Sequence, residues 1–570
     1  PYPYAIFPCA DGHVCIIARS SRDWRNLLAA LGNPAWAEDP RYQDQIAMGR
    51  DYPDEVDALL IPLLKRHTQR ELLDLARQYG FPLAPVNPPS AVLDEPHYRE
   101  RGFWVEHREG GRNILMPGLP YRFTPAPAPE TASSAADSTS PATGAAHTPS
   151  ARGPLAGLRV LDLAWVWSGP LVSQILADLG AEVIKVEHGQ RLDNSRLRGR
   201  PLRDGRPVEG SIIEVVPYFH TLNHGKKSVT INLKDPRGAA LVQRLAARCH
   251  AVIENLSPGA LERLGVGFAT LSRINPRLIY LSMSAAGQTG PLRDMRAYAP
   301  VMSSMAGLEA LIGYPGEPPN GMMTMGFGDP NAGGHGLVAL LAALEYRRRT
   351  GRGLYIDLSQ IEALLAVLAE PLLEQQLAPE PPRPRGNRDP LAAPRGIYPT
   401  RGDDRWVALT VTDDAAWRRL AQLIVSTTKQ QREPHTDPSW ALDPSLRRLE
   451  ERQRRHDELD RKLAAWTRGF DRDGLVALLR AHRIAAAPVL SIEEVQNHRY
   501  FQERGLFEPV THPILGELRL QRVPWQLART PSRIQGPAPL LGQHNDYVLR
   551  QLLELGDDEI EELTADGVIA

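Results

Sequence analysis

The sequence predicts an α/β protein. It would have a large domain built on a Rossmann-like open parallel sheet, a small α/β domain attached to it, and an extra N-terminal copy of the small domain. Three observations carry this prediction. One is a strand–helix–strand run over residues 158–187. Another is a repeat shared by the start of the chain and its last third. The third is an intervening segment, 126–152, whose composition cannot support a core.

The run opens with the apolar strand LRVLDLAW (Leu158–Trp165). It continues through a helix, GPLVSQILADLG (Gly169–Gly180), that ends in glycine, and reaches a second strand, AEVIKVE (Ala181–Glu187). Two strands joined through a helix pair in parallel with a right-handed crossover. AVIENLSP and RLIYLSMSA add further strands. LVALLAALEY (Leu337–Tyr346), followed by Arg347–Arg349, reads as a buried helix whose cations face the negative end of its dipole.

The repeat has two parts. AIFPCADGHVCIIARSSRDWRNLLAALG (Ala5–Gly32) resembles GIYPTRGDDRWVALTVTDDAAWRRLAQLI (Gly396–Ile424): both run aromatic-Pro, turn, strand, then a helix with Trp in its first turn. LAPVNPPSAVLDEPHYRERGFWVEH (Leu83–His107) resembles AAPVLSIEEVQNHRYFQERGLFEPV (Ala486–Val510), in the same order and spacing. Residues 1–125 therefore read as the small domain of a partial first copy without its own large half. Residues 153–385 read as the large domain and 386–530 as the second copy's small domain. Residues 531–570 form a C-terminal segment returning to the large domain. Residues 126–152, rich in Ala, Pro, Ser and Thr, bury too little to offset their ordering entropy and read as a disordered linker. The chain opens without Met and inside a strand-like pattern, so its first residue reads as other than a natural start. For 570 residues, at ~150 per domain, about three or four domains are expected.

Composition removes several classes of function. With 66 basic and 67 acidic residues the net charge is −1, which argues against a nucleic-acid partner. Three cysteines make no disulfide framework, and no C-x-x-C pair or His/Cys cluster suggests a metal. No apolar run approaches the ~20 residues of a membrane helix, and there is no signal peptide. The expectation is a cytoplasmic protein with no membrane partner and no metal. The loop AWVWSGP after the first strand lacks G-x-G-x-x-G, and Glu187 does not by itself replace that fingerprint. P-loop, G-x-S-x-G and H-E-x-x-H motifs are absent too.

What stands out is GFGDPNAGG (Gly326–Gly334), with Asp329 its only ionisable side chain. An Asp ahead of a helix is a common cap. A carboxylate in a glycine-rich loop can also do chemistry, and the residues alone leave both readings open. Pro330 is expected to keep Asp329 out of the α region.

Phrases on both sides of that loop decide between them. PLAGLRVLDLAWVWSGP, LADLGAEVIKVE, NHGKKSVTINLKDPRG, VIENLSPGALERLGVG, AYAPVMSSMAGL, GFGDPNAGG, LAALEYRRRTGRGLYIDLSQIEALL and LGQHNDYVLRQLLELG together resemble the class III CoA-transferases. That is the family of formyl-CoA transferase, carnitine CoA-transferase and the α-methylacyl-CoA racemases. The resemblance covers 153–570 almost without gaps, and the N-terminal block is similar to the family's small domain alone. It implies the interlocked-ring fold, as a homodimer or as an intramolecular pseudo-dimer of fused copies. It also implies transfer of coenzyme A between an acyl-CoA and a carboxylic acid, with Asp329 as nucleophile. The carboxylate would attack the thioester to give a mixed anhydride, and CoA thiolate would then give an aspartyl thioester. The glycines, among them Gly328 and Gly333, would let backbone approach the substrate and offer N–H groups to an oxyanion.

Tyr298 sits where the transferases have Tyr and the racemases a catalytic His. A phenol of pKa ~10 is a poor base, which favours transfer over racemisation. Ala299 replaces the acid that follows in formyl-CoA transferase. For CoA the resemblance points to Asn255, Arg263, Ile231, Lys234 and Arg296, with His188 in place of the family's usual basic residue. Each of these alone fits an ordinary surface residue equally well. Trp167, with Trp165, suggests a bulkier or more apolar acyl group than formate or oxalate, and Glu380–Pro390 stands in place of the family's glycine-rich flap. Racemase, transferase–lyase and non-catalytic half remain the alternatives.

Overall fold

The structure is a computed structural model that describes residues 1–127, 153–199, 201–319, 321, 326–428 and 437–570. From residue 128 on, the expected linker falls outside the described residues. Ala126 is buried, and its amide donates to the Gly353 carbonyl at 3.1 Å. The chain divides into two compact units: residues 1–311, 321–382 and 505–570 in one, 312–320 and 383–504 in the other.

The first unit opens with a three-stranded antiparallel sheet of β1 (Tyr4–Pro8), β2 (His13–Ile17) and β3 (Leu83–Pro85). A hairpin of β4 (Trp104–Glu109) and β5 (Arg112–Pro117) follows, then β6 (Tyr121–Pro125). The main sheet takes β7 (Arg159–Asp162) and β8 (Glu182–Glu187). After a short hairpin of β9 (Leu202–Arg203) and β10 (Arg206–Pro207), it adds β11 (Lys227–Thr230), β12 (Ala251–Glu254), β13 (Ile279–Ser284) and β14 (Leu354–Ser359). Its order is β11-β8-β7-β12-β13-β14-β6, with only β6 antiparallel. The chain thus runs outward from β7 in one direction and then from β12 in the other. This is the doubly wound arrangement the sequence predicts, and it opens a crevice at the carboxyl ends of β7 and β12.

The sheet is covered on both faces, and every residue of β12 and β13 is buried. One face packs against the helices Ser168–Asp178 and Gly328–Thr350 through Val172, Leu176, Ala332, Ala339 and Leu340. The other carries Leu241, Val242 and Leu245, joined by Val548, Leu549, Val568 and Ile569 from the end of the chain.

Residues 1–125 are not packed as a separate body. Phe7, Val14, Trp24 and Leu72 share one core with Leu292, Met302, Met305 and Leu364, while β6 extends the main sheet. Arg101 pins this junction. It is 1% exposed and reaches Glu362 at 2.6 Å, Asp357 at 2.9 Å and the Thr289 hydroxyl at 2.9 Å. A hairpin of β18 (Phe507–His512) and β19 (Gly516–Gln521) completes the first unit, in chain order after the strands of the second unit. Those are β15 (Arg395–Pro399), β16 (Trp406–Thr410) and β17 (Ala485–Pro488), again a three-stranded antiparallel sheet.

Burial holds three histidines of the first unit, His97, His220 and His250, at pKa values of about 4. His97 Nε2 lies 2.8 Å from the Ala286 carbonyl and Nδ1 accepts from the Leu292 amide, so a second ring proton has no acceptor. An unfolded histidine titrates near ~6.5. Between the two values the unfolded chain binds more protons than the fold. The stabilisation is therefore complete above pH 6.5 and lost as pH falls toward 4. The urea midpoint of wild type relative to a His97→Gln variant should therefore fall from pH 7 to pH 4.5, and a constant difference would contradict this.

Candidate active site

GFGDPNAGG is helical from Gly328, not a loop. Asp329 lies in the first turn and neither extends nor caps, which corrects the expectation drawn from Pro330. A proline in the first helical turn forfeits no hydrogen bond, because that N–H has no intrahelical acceptor. Packing then outweighs the steric bias on the residue before it. The glycines serve the approach of helices. A β-carbon on Gly333 would lie 2.9 Å from Leu171 Cδ2 and 3.3 Å from the Ser168 carbonyl. Gly328 is buried against Leu364 and Met302. One on Gly326 would lie 2.8 Å from Ala299 Cβ and 3.4 Å from Trp167 Cζ3.

This close packing puts the half-buried Asp329 carboxylate at the N-terminus of the Ser168–Asp178 helix. The Ser168 amide and hydroxyl both donate to it. Burial pushes the carboxyl up to about 6, while the Ser168 donors and the Arg198 guanidinium pull against that rise. An anion at a helix N-terminus is favoured by the dipole and the free N–H groups. The group is thus ionised at neutral pH yet poorly solvated.

Ser168 is itself held from behind. Asn255, at the end of β12, donates from Nδ2 to the Ser168 hydroxyl at 3.2 Å and to the Trp165 carbonyl at 2.7 Å. Its Oδ1 accepts from the Trp165 amide at 2.7 Å. Between them Val166 has φ +68°, a left-handed conformation that is costly for a β-branched residue. Its amide donates to Asp193 Oδ1 at 3.0 Å, and Asp193 is fixed by the fully buried Lys185 at 2.9 Å. The strain is held by this ion pair and aims Ser168.

A cleft of about 250 Å³ opens at the carboxyl ends of β7, β8 and β11, lined by Trp165, His188, Arg191, Ile231 and Lys234 among others. His188 is 8% exposed, and its Nε2 has no partner among the described residues. The Arg191 guanidinium lies 5.1 Å from the Trp165 ring. Of the residues expected to bind CoA, the fold brings His188, Ile231 and Lys234 to this cleft. Asn255 sits behind its Trp165 wall. Arg263 is exposed on the short helix Ala260–Arg263 beside Leu264, another lining residue. Arg296 is exposed outside the cleft, within electrostatic reach of Tyr298 and beside Gly80 of the N-terminal block, its Cζ 3.6 Å from where a β-carbon there would be.

On the other side of Asp329, Trp167 meets the Tyr218 ring edge-on, centroids 6.0 Å apart. Arg198 lies over Tyr218 at 4.6 Å, and Arg19 over Tyr298 at 5.1 Å. Arg19 and Tyr4 come from the N-terminal block, and both are within electrostatic reach of Arg198. Burial raises the Tyr298 phenol above its ordinary range. Ser168, Arg19, Arg198 and Tyr218 were not predicted as site residues; Ser168 adjoins the predicted Trp167 within WVWSGP, whereas the other three come from distant parts of the chain and carry no motif. Among the described residues no group of three or more His, Cys, Asp or Glu is placed to hold a metal, and no helix is long and apolar enough to cross a membrane.

The profile of CoA-transferase family III matches residues 1–138 and 155–545. The succinyl-CoA–D-citramalate CoA-transferase of Chloroflexus aurantiacus is 35% identical over 73% of this chain and 98% of that protein. A probable CoA-transferase of Mycobacterium tuberculosis is 29% identical over 99% of this chain and 70% of its own length. The crystal structure of a CAIB/BAIF family protein from Brucella suis is 28% identical, covers 70% of this chain and all of that one, and superposes with a TM-score of 0.62. The chain belongs to CoA-transferase family III and is a CoA-transferase.

Proposed function

We propose that this chain moves coenzyme A from an acyl-CoA to a carboxylic acid through covalent intermediates on Asp329. The observation that carries the reading is the Asp329 carboxylate, ionised at neutral pH and half-desolvated at the N-terminus of the Ser168–Asp178 helix. A carboxylate oxygen attacks the thioester carbonyl, the C–S bond breaks, and CoA leaves as thiolate with a mixed anhydride on Asp329. The thiolate attacks the aspartyl carbonyl of that anhydride, releasing the donor acid and leaving an aspartyl-CoA thioester. The acceptor carboxylate attacks this thioester. CoA thiolate then takes the new acyl group and frees Asp329. Desolvation of Asp329 favours the first attack, and the Ser168 amide and hydroxyl steady the anion between turnovers. His188, Ile231 and Lys234 in the cleft suit the nucleotide end of CoA, with Lys234 and Arg191 toward its phosphates. Tyr4 and Arg19 support a pseudo-dimer reading, in which residues 1–125 serve the site of 153–385.

Racemisation is disfavoured because Tyr298, with its phenol raised by burial, is a donor and not a base. The test is to offer the folded protein succinyl-CoA with a panel of free acids and follow the new thioester by mass. Transfer to at least one acid is expected. Deuterium exchange at the α-carbon without any acceptor would instead indicate the racemase. The pH profile follows from the carboxyl of about 6. Below pH 6, kcat/KM should fall about tenfold per unit as Asp329 takes up its proton, and above pH 7 it should be level on this limb. A profile falling only below pH 4 would place the nucleophile elsewhere.

A further inference from the structure

Around the reactive carboxylate the charge balance is uneven. Arg19 and Arg198 are half-buried and within electrostatic reach of each other, and Arg198 reaches Asp329 as well. Among the described residues neither guanidinium makes an ion pair or a hydrogen bond. Each is placed by a ring alone, Arg19 by Tyr298 at 5.1 Å and Arg198 by Tyr218 at 4.6 Å. An arginine over an aromatic face keeps its N–H fork free at the edge, and the fork matches a carboxylate. The Tyr218 hydroxyl is buried with no partner among the described residues. Half-buried cations with no ion-pair partner, beside an unused hydroxyl, are costly unless a ligand anion completes them. With the reacting carboxyl engaged at Asp329 and the phosphates of CoA assigned to the Lys234 and Arg191 cleft, a second carboxylate on the acyl group is the anion left to complete them.

We propose that Arg19 and Arg198, with the Tyr218 hydroxyl, bind the remote carboxylate of a dicarboxylic acid whose other carboxyl exchanges CoA at Asp329. The proposal rests on the CoA-transferase reading and narrows its substrates to short diacids. It also makes Arg19, from the N-terminal block, a specificity residue for a reaction centred in the large domain. Trp167 packs edge-on against the Tyr218 ring and offers an apolar surface for the methylenes of such an acid.

The test compares succinate with butyrate, which has the same chain length and no second carboxylate, as acceptors for the full chain. Wild type should prefer succinate by about 100-fold in kcat/KM, and Arg19→Gln or Arg198→Gln should cut the succinate-to-butyrate ratio by about 10-fold or more. Arg→Lys at either position should recover part of the ratio, because charge returns without the fork. Equal losses for both acids, or a wild type indifferent between them, would overturn the proposal while leaving transfer to Asp329 standing. If no acid is turned over, the transferase reading fails first. Thermal stabilisation then decides the diacid site alone: succinate, not butyrate, should raise the Tm of wild type and not of the Gln variants. Stabilisation by both acids, or by neither, would overturn it.

Discussion

Asp329→Asn is expected to lower CoA transfer by about 10⁴-fold or more, because it removes the attacking oxygen while keeping the side chain's shape and an acceptor for the Ser168 donors. The same variant should be more stable than wild type at neutral pH. With a folded-state pKa of about 6 against ~3.9 unfolded, the carboxyl binds its proton more tightly in the fold. Its desolvation therefore costs stability as pH rises through that window. The cost is full above pH 6 and absent below pH 4. The Tm advantage of the Asn variant should be largest at pH 8 and vanish by pH 4. Loss of activity with gain of stability marks a group held for chemistry. A variant that is inactive and also less stable at pH 8 would make Asp329 a structural residue.

Arg101→Ala should produce the largest loss of stability of any single substitution at the junction of residues 1–125 with the large domain. The guanidinium is the shared partner of Glu362 and Asp357, both nearly excluded from water. Burial already pushes Glu362 up to about 7, with Arg101 pulling the other way. Removing the cation leaves two buried acids close together, a change that costs about 3–5 kcal/mol. That is a large share of the ~5–15 kcal/mol that holds a typical domain. Adding Glu362→Gln to Arg101→Ala should recover part of the loss, because the two sites are directly coupled. A single variant within about 1 kcal/mol of wild type in urea denaturation would show that Arg101 does not hold the junction.

The sequence revealed those parts of the fold whose side chains repeat a simple pattern. Strands β7, β8, β12 and β13 are rich in buried apolar residues such as Leu161, Ile184, Ile253 and Leu281, and a sheet buried on both faces leaves that trace. β11, with the polar run Lys227–Thr230, and β6, whose Phe123 is 41% exposed, are defined only by their partners in the sheet. The helical start at Gly328 was hidden because its residues are poor helix formers. Its stability comes from contacts with Leu171, Met302 and Leu364 that no local rule contains. In the candidate site, the motif located Asp329 and the cleft residues His188, Ile231 and Lys234. Of the groups around the carboxylate, Ser168 opens the helix after β7, Arg19 lies in the N-terminal block, and Arg198 and Tyr218 lie in the 193–220 region, where nothing in the local pattern sets an arginine at 198 apart from its neighbours. Lys234, Arg263 and Arg296 are alike in sequence as cations, and the fold distinguishes them by place: one at the cleft, one beside it and one against Gly80.

Transfer by this route requires that Asp329 become covalently acylated. Incubating the protein with an acyl-CoA and hydroxylamine at neutral pH, then mapping peptides by mass, tests it directly. An anhydride or thioester on the carboxyl should be captured as a hydroxamate at Asp329, only when acyl-CoA is present and not in Asp329→Asn. Active transfer with an unmodified Asp329, or with the hydroxamate on another residue, would contradict it.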